Sequence, residues 1–449
     1  MKKKYIVTLF LIITLFIYLL FSYWNKKMNF IDWGVRTAES SFTQYNNYSK
    51  VSLSAYMLSS EKNENLTTYF ALKNGTKLRR IGLATFGGWG LGGQTIGGGN
   101  IQTPVPEIFH MTYSEGLTGA IYQLDHIDLP SEKIKKIFKS NFKSISDGVT
   151  IINGRTRYSD IEIAVAPKGW VTLYAIGGGN RIEIGSWQAK EISLSYPDYL
   201  EAIHLLSPHD NLAELSNKDA KKEESESYLK NIKESIPKVA YERFIKKEVP
   251  INADWYKKMQ TKYPWFLEVN FPENYESWDG EYFAEYSNTE RFEILDDQIL
   301  ENKYTLKPVP TTIEIWATEK NTKERYAITI NLMTKPNWMQ TYYSTYNLDQ
   351  NLSYLHKRFE FFYPKLNYNT NNSSISREEY ANLVLNFDHL LHLKSAELKK
   401  NKNVLDIDSA YQKLLAPIDR NRGKYIPLEY PNYSEEPKMK DLRDPVFAD

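Results

Sequence analysis

Thr103-Pro-Val-Pro-Glu-Ile-Phe-His-Met-Thr-Tyr-Ser-Glu115 and Lys307-Pro-Val-Pro-Thr-Thr-Ile-Glu-Ile-Trp-Ala-Thr-Glu319 decide how this chain is read. Laid over each other at an offset of 204 residues, they match at Pro104, Val105, Pro106 and Glu115 against Pro308, Val309, Pro310 and Glu319. The match runs on to Thr118 and Tyr122 against Thr322 and Tyr326. In both copies the Pro-Val-Pro leads into a strand, a polar turn, a second strand and then a segment of helical character. Chance repeats three residues easily. It does not readily repeat that order of elements, so two related domains in tandem are expected.

Outward from the first copy, residues 51–56, 68–72, 161–166, 170–176 and 181–185 alternate or concentrate β-branched and aromatic side chains, as strands do. One helix interrupts them: Leu129-Pro130-Ser131-Glu132 opens it and Ile134, Ile137 and Phe138 share a face. Around the second copy, 265–271, 282–286 and 326–332 read as strands. Ser376-Arg-Glu-Glu379 forms a capping box, and Tyr380, Leu383, Val384, Phe387, Leu390 and Leu391 follow at helical spacing. A further helix is expected from Asp408-Ser409. The fold class is therefore α+β: an N-terminal transmembrane helix, then two related, mainly antiparallel sheet domains at 28–206 and 251–425. A Lys/Glu-rich helical connector occupies 207–250, with Pro237 near its middle, and an extended tail covers 426–449.

The chain's N-terminal segment carries the clearest single signal. Lys2, Lys3 and Lys4 precede twenty residues without a charge, Tyr5 to Trp24, and Lys26 and Lys27 follow. As a helix rising about 1.5 Å per residue, such a run spans roughly 30 Å, the thickness of a bilayer's hydrocarbon core. Tyr5, Tyr23 and Trp24 stand where interfacial aromatics belong. The run is too long for a signal peptide, and Phe21-Ser-Tyr-Trp-Asn25 offers no small-x-small cleavage pair. An uncleaved inner-membrane anchor is expected, with residues 1–4 cytoplasmic and the bulk of the chain periplasmic.

The formal charge is +1, from 56 basic and 55 acidic residues, and argues against a nucleic-acid partner. Having no cysteine, the chain lacks disulfides, thiolate metal sites and cysteine nucleophiles. Gly88, Gly90 and Gly93 satisfy G-x-G-x-x-G, yet more glycine and then Pro104 follow where a dinucleotide site needs a helix N-terminus. A glycine loop or bulged strand pair fits better, and Gly177-Gly-Gly179 reads as a hairpin turn. Neither G-x-S-x-G nor H-E-x-x-H occurs. Ser207, His209 and Asp210 are merely adjacent, whereas a triad is assembled from separate elements. Asp160, Glu162, Asp279 and Glu281 look no different from surface acids. His389 and His392 lack the third ligand that a metal site wants. The expectation is no catalytic residue, no cofactor, no metal and no enzyme.

Aromatics are plentiful, at 33 Tyr, 20 Phe and 10 Trp. They fill sheet cores, but Tyr or Trp in polar, loop-like contexts also makes protein-binding surfaces. Trp89 in the glycine run, Trp278 in Tyr275-Glu-Ser-Trp-Asp-Gly-Glu-Tyr282 and Tyr343 in Tyr342-Tyr-Ser-Thr-Tyr346 are the candidates for such contacts.

Four further segments, Phe86-Gly-Gly-Trp-Gly, Met111-Thr-Tyr-Ser-Glu, Ile127-Asp-Leu-Pro and Ala166-Pro-Lys-Gly-Trp-Val, give the chain a likeness to known proteins. Together they resemble an uncharacterised domain-of-unknown-function family of bacterial envelope lipoproteins, over roughly 45–200. A weaker echo lies at 265–275 and 308–332. This chain departs from the family by using a helical anchor in place of a lipidated Cys. Some members of such families look like immunity proteins against type VI secretion toxins, including lipases. The resemblance thus implies a periplasmic binding protein that occludes a lipase-like toxin's active site. It carries over no catalytic residue.

Overall fold

The computed structural model describes residues 30–39, 55–82, 102–115, 120–140, 150–202, 254–277, 280–294, 305–332, 345–364 and 376–419. Thr14 and short pieces at 41–43, 50–52, 84–85, 87–88, 94–95, 142–146 and 424–425 complete it. Strands dominate, with few helices, so the chain is β-rich α+β. Among the described residues no helix is long and apolar enough to cross a membrane. Tyr5 to Trp24, Thr14 excepted, the 207–250 connector and the 426–449 tail lie outside those residues.

In the N-terminal half, Phe30–Asp32 pairs antiparallel with Gln102–Pro104, and its continuation Gly34–Glu39 runs parallel to Asp160–Ala166. Asp160–Ala166 continues antiparallel through Trp170–Gly177 and Asn180–Gln188. A second layer is centred on Ile108–Glu115, flanked by Ala120–Asp128 on one edge and Thr68–Ala71 on the other. Thr68–Ala71 then pairs with Lys77–Ile81, and Ala120–Asp128 with Lys190–Ile192. Side chains from both layers, including Trp33, Val35, Phe70, Phe109, Ile161 and Ile163, meet in one apolar core. The Ser131–Lys139 helix adds Ile134, Ile137 and Phe138 to it, the face that the sequence periodicity predicts. Gly178 and Gly179, at φ 51° and 86°, form the two-residue hairpin turn expected of them.

The C-terminal half repeats these pairings. Lys262–Asn270 begins antiparallel to Leu306–Pro308 and continues parallel to Ala381–Phe387, which leads antiparallel through Leu393–Lys400 and Asn403–Asp406. Pro310–Thr318 is flanked by Arg325–Asn331 and Tyr282–Tyr286, and these pair onward with Tyr411–Asp419 and Arg291–Ile294. Register recurs as well as order. Phe30↔Pro104 is matched by Lys262↔Pro308, Val35↔Ile161 by Leu267↔Leu383, and Phe109↔Phe70 by Ile313↔Ala284. Tyr113↔Tyr122 is matched by Ala317↔Tyr326, so the offset read from the Pro-Val-Pro segments places residues in corresponding strand positions. Trp33 and Trp265 occupy the same place and are both buried. Even a turn repeats: Leu72 and Thr76 bond as Tyr286 and Glu290 do, each pair at 2.9 Å, with Gly75 and Thr289 both at positive φ.

Two expectations fail. The segment from Tyr380 is a strand, Ala381–Phe387, preceded by a short 3-10 turn at Arg377–Glu379 whose Ser376 makes no capping bond. Its apolar residues fit a helical period, but Ala381, Leu383, Leu385 and Phe387 also alternate, and insertion between two neighbouring strands satisfies its backbone. Likewise Tyr411–Asp419, expected within a helix, is a strand on Arg325–Asn331. The long helix of this half is instead Thr345–Phe362, whose start the sequence reads as a loop; Leu355 and Phe359 enter the core.

The halves are joined through a sheet edge and a buried polar cluster. Asn180–Gln188 meets Arg291–Ile294 at Arg181↔Arg291, and Thr150–Thr156 meets the late strand Lys424–Tyr425. One fourteen-stranded sheet therefore passes from the first half through the second and back. Beside the first junction Lys262 lies 3.4 Å from Glu183 and 3.5 Å from Glu290. Burial alone would raise the Glu183 carboxyl, but Lys262 and Lys133 outweigh it and hold the group below the ordinary carboxylate range.

Candidate functional site

None of the three aromatic candidates can be placed: Trp89, Trp278 and Tyr343 lie outside the described residues. Their described neighbours are structural. Gly87–Gly88 runs parallel to Gly34–Glu39 and Gln94–Thr95 antiparallel to it, so the glycine run contributes strand pairings there. Tyr275 packs its ring 6.3 Å from that of Tyr326. The carboxylates are committed to ion pairs: Glu162 is buried against Arg181, Asp160 is 3.2 Å from Arg36, and Glu281 is 3.8 Å from Arg325. Asp388 accepts from the backbone N–H groups of Leu390 and His392 in a turn, which leaves His389 and His392 off any helix. Ser207, His209, Asp210 and Asp279 are outside the described residues.

A different constellation stands on two adjacent strands of the second layer of the N-terminal half. Phe109 faces Ile127 and Met111 faces Leu124, so His110 alone stands opposite two residues, Asp125 and His126. This is a β-bulge, and it turns consecutive side chains toward one facing residue. His126 accommodates the extra residue at φ 50°, a left-handed conformation that costs free energy in a non-glycine residue. Among the described residues, these three are the group of His and carboxylate side chains able to converge on one ion, their ligand atoms lying within 4.8 Å of one another.

Neighbouring elements fix each ring. The Nε2 of His110 lies 2.9 Å from the Asn65 carbonyl, which also accepts from Thr112 at 3.0 Å and Gln123 at 2.7 Å. Asn65 is held there by the Glu64–Leu66 turn, capped by Asn63. Across the sheet, Tyr69 is the register partner of His110 and stacks on it, centroids 5.0 Å apart. The Tyr69 hydroxyl is 2.8 Å from the Nε2 of His126, whose Nδ1 bonds the Asp125 carboxylate. The Nδ1 of His110 is 3.2 Å from that same carboxylate oxygen.

Burial divides the cluster. His110 is fully enclosed, whereas the Asp125 and His126 side chains are 70% and 55% exposed. Burial, reinforced by His126, pushes the His110 pKa down, although Asn65 and Asp125 pull the other way. The bond from His126 holds the Asp125 carboxyl below its ordinary value, while burial raises the Tyr69 phenol. Lys77 lies 4.5 Å from the centre of the Tyr69 ring and is paired with Glu64 at 2.7 Å. The site thus offers two imidazoles and a carboxylate to something positive. Sequence reading passes over it, since 108–113 is legible as a strand but the bulge opposite is not. No known protein family, no curated protein and no solved structure matches this chain.

Proposed function

We propose that this chain is a single-pass, inner-membrane-anchored binding protein, its periplasmic body a tandem of two related β-rich domains. Its partner, on this reading, is a secreted lipase-like antibacterial toxin, neutralised by covering the toxin's active site. The observation that carries the anchor is the charge-free run from Tyr5 to Trp24 between lysines. The tandem reading draws its support from the shared registers at Pro104 and Pro308 and at Tyr122 and Tyr326. The toxin rests on the resemblance carried by the Phe86, Met111, Ile127 and Ala166 segments.

A periplasm-only reporter fused after Asp449 tests the anchor: the fusion should be active and sediment with inner membranes. A mature N-terminus beyond Ser22, or recovery in the soluble fraction, refutes it. Cells lacking the gene should lose fitness beside siblings that deliver the toxin. Unchanged fitness rejects toxin neutralisation and leaves an envelope assembly role for the anchored body.

A further inference from the structure

The Asn65 carbonyl sets the protonation of His110. Its partner nitrogen, Nε2, has to donate, so neutral His110 presents a lone pair at Nδ1. That Nδ1 is buried and faces a carboxylate oxygen of Asp125 at 3.2 Å. Two acceptors at this distance repel each other unless positive charge lies between them. A metal dication bound between them supplies such charge.

We propose that His110, Asp125 and His126 form a binding site for a first-row transition-metal dication of the Zn2+ class, held through both Nδ1 atoms and the Asp125 carboxylate, with a further coordination position open to solvent. The 3.2 Å separation between the His110 nitrogen and the Asp125 oxygen suits this. Ligand atoms bonded to tetrahedral zinc at about 2.0–2.1 Å stand roughly 3.3 Å from each other. Each imidazole also has an acceptor at its far nitrogen: the Asn65 carbonyl for His110 and the Tyr69 hydroxyl oxygen for His126. When the Nδ1 of His126 takes the metal, its proton moves to Nε2 and is donated to Tyr69. Such outer contacts orient metal-bound histidines and raise their basicity. Nitrogen and carboxylate donors without sulfur suit Zn2+ and its borderline neighbours better than Cu(I). The exposed Asp125 and His126 give the ion its way in.

The other half supplies an internal control. His110 corresponds to Glu314, which pairs regularly with Thr329, and Tyr69 corresponds to Phe283, which has no hydroxyl. The shared architecture therefore does not require the bulge. It occurs where the ligand set occurs. This inference is independent of the anchored-binding reading.

Tag-free, full-length protein in detergent, stripped with EDTA, is titrated with Zn2+ by calorimetry and with Co2+ by visible absorption. Equimolar Zn2+ and the intense bands of four-coordinate Co2+ are expected. D125N and H126A, both altering exposed residues, should bind Zn2+ at least about tenfold more weakly, and Y69F should also bind more weakly. Metal-free circular dichroism of D125N and H126A should match that of the metal-free wild type, and added Zn2+ should raise only the wild-type melting temperature. Failure of the wild type to bind, or binding unchanged in both D125N and H126A, overturns the proposal.

Discussion

Acid is the perturbation that His356 should report. This imidazole is carried by the Thr345–Phe362 helix, is fully buried, and packs edge-on to Tyr263 with ring centroids 6.0 Å apart. Burial, with a smaller push from the Lys258 charge, lowers its pKa to about 3. In the unfolded chain the same group titrates near 6.5. Its folded pKa is depressed, so the unfolded state takes the proton first as pH falls. The stabilising contribution is therefore complete above about pH 6.5 and is lost progressively toward pH 3. At about 1.4 kcal/mol per pH unit, the loss relative to neutral pH is about 2 kcal/mol at pH 5 and about 3 kcal/mol at pH 4. His356→Leu removes the titration and keeps an apolar side chain in the core. Urea unfolding of the full-length protein in detergent, followed by tryptophan fluorescence, would compare wild type and variant at pH 7.5 and 5. Other titrating groups act on both proteins, so the gap between the two stabilities should shift by about 2 kcal/mol in the variant's favour. Parallel pH dependences would show that His356 is charged or hydrated in the fold, and the reasoning would be wrong.

Two other buried charges give opposite tests. Burial lowers Lys307 to about 7, so between that pH and about 10.4 the unfolded chain holds a proton the folded chain has released, and stability should climb with pH by up to about 1.4 kcal/mol per unit. Lys307→Met should flatten that climb in urea midpoints measured from pH 7 to 9.5. At the junction, Arg181→Met should strand the buried Glu162 and cost about 3–5 kcal/mol. Adding Glu162→Met should restore most of that loss, and a double-mutant cycle on thermal unfolding checks the coupling.

What the sequence revealed was what local periodicity could encode. Ile161, Ile163 and Val165 alternate with Glu162 and Ala164, and the Pro-Val-Pro segments carried a register that reached Tyr122 and Tyr326. The 380–391 stretch failed because Leu383 and Phe387 satisfy two periods at once, and only neighbouring strands decide between them. The candidate metal ligands were hidden for a related reason. A regular hairpin pairing Tyr113 with Tyr122 sets His110 opposite Asp125, yet His126 joins them only because the strand bulges. That irregularity, with the Asn65 carbonyl beneath it, belongs to tertiary packing and leaves no motif.

The returning sheet has a consequence for how the body is made and taken apart. Asn180–Gln188 leaves synthesis with a bare hydrogen-bonding edge, and its neighbour Arg291–Ile294 emerges only about a hundred residues later. Thr150–Thr156 waits longer still, because Lys424–Tyr425 is the last strand among the described residues. These edges therefore close only after the second half has been made, and a truncated N-terminal half presents sticky edges. Once closed, the seam works like a clasp: a protease that nicks the 207–250 segment severs the backbone while the fragments stay zipped along two strand pairs, migrating together until a denaturant opens them.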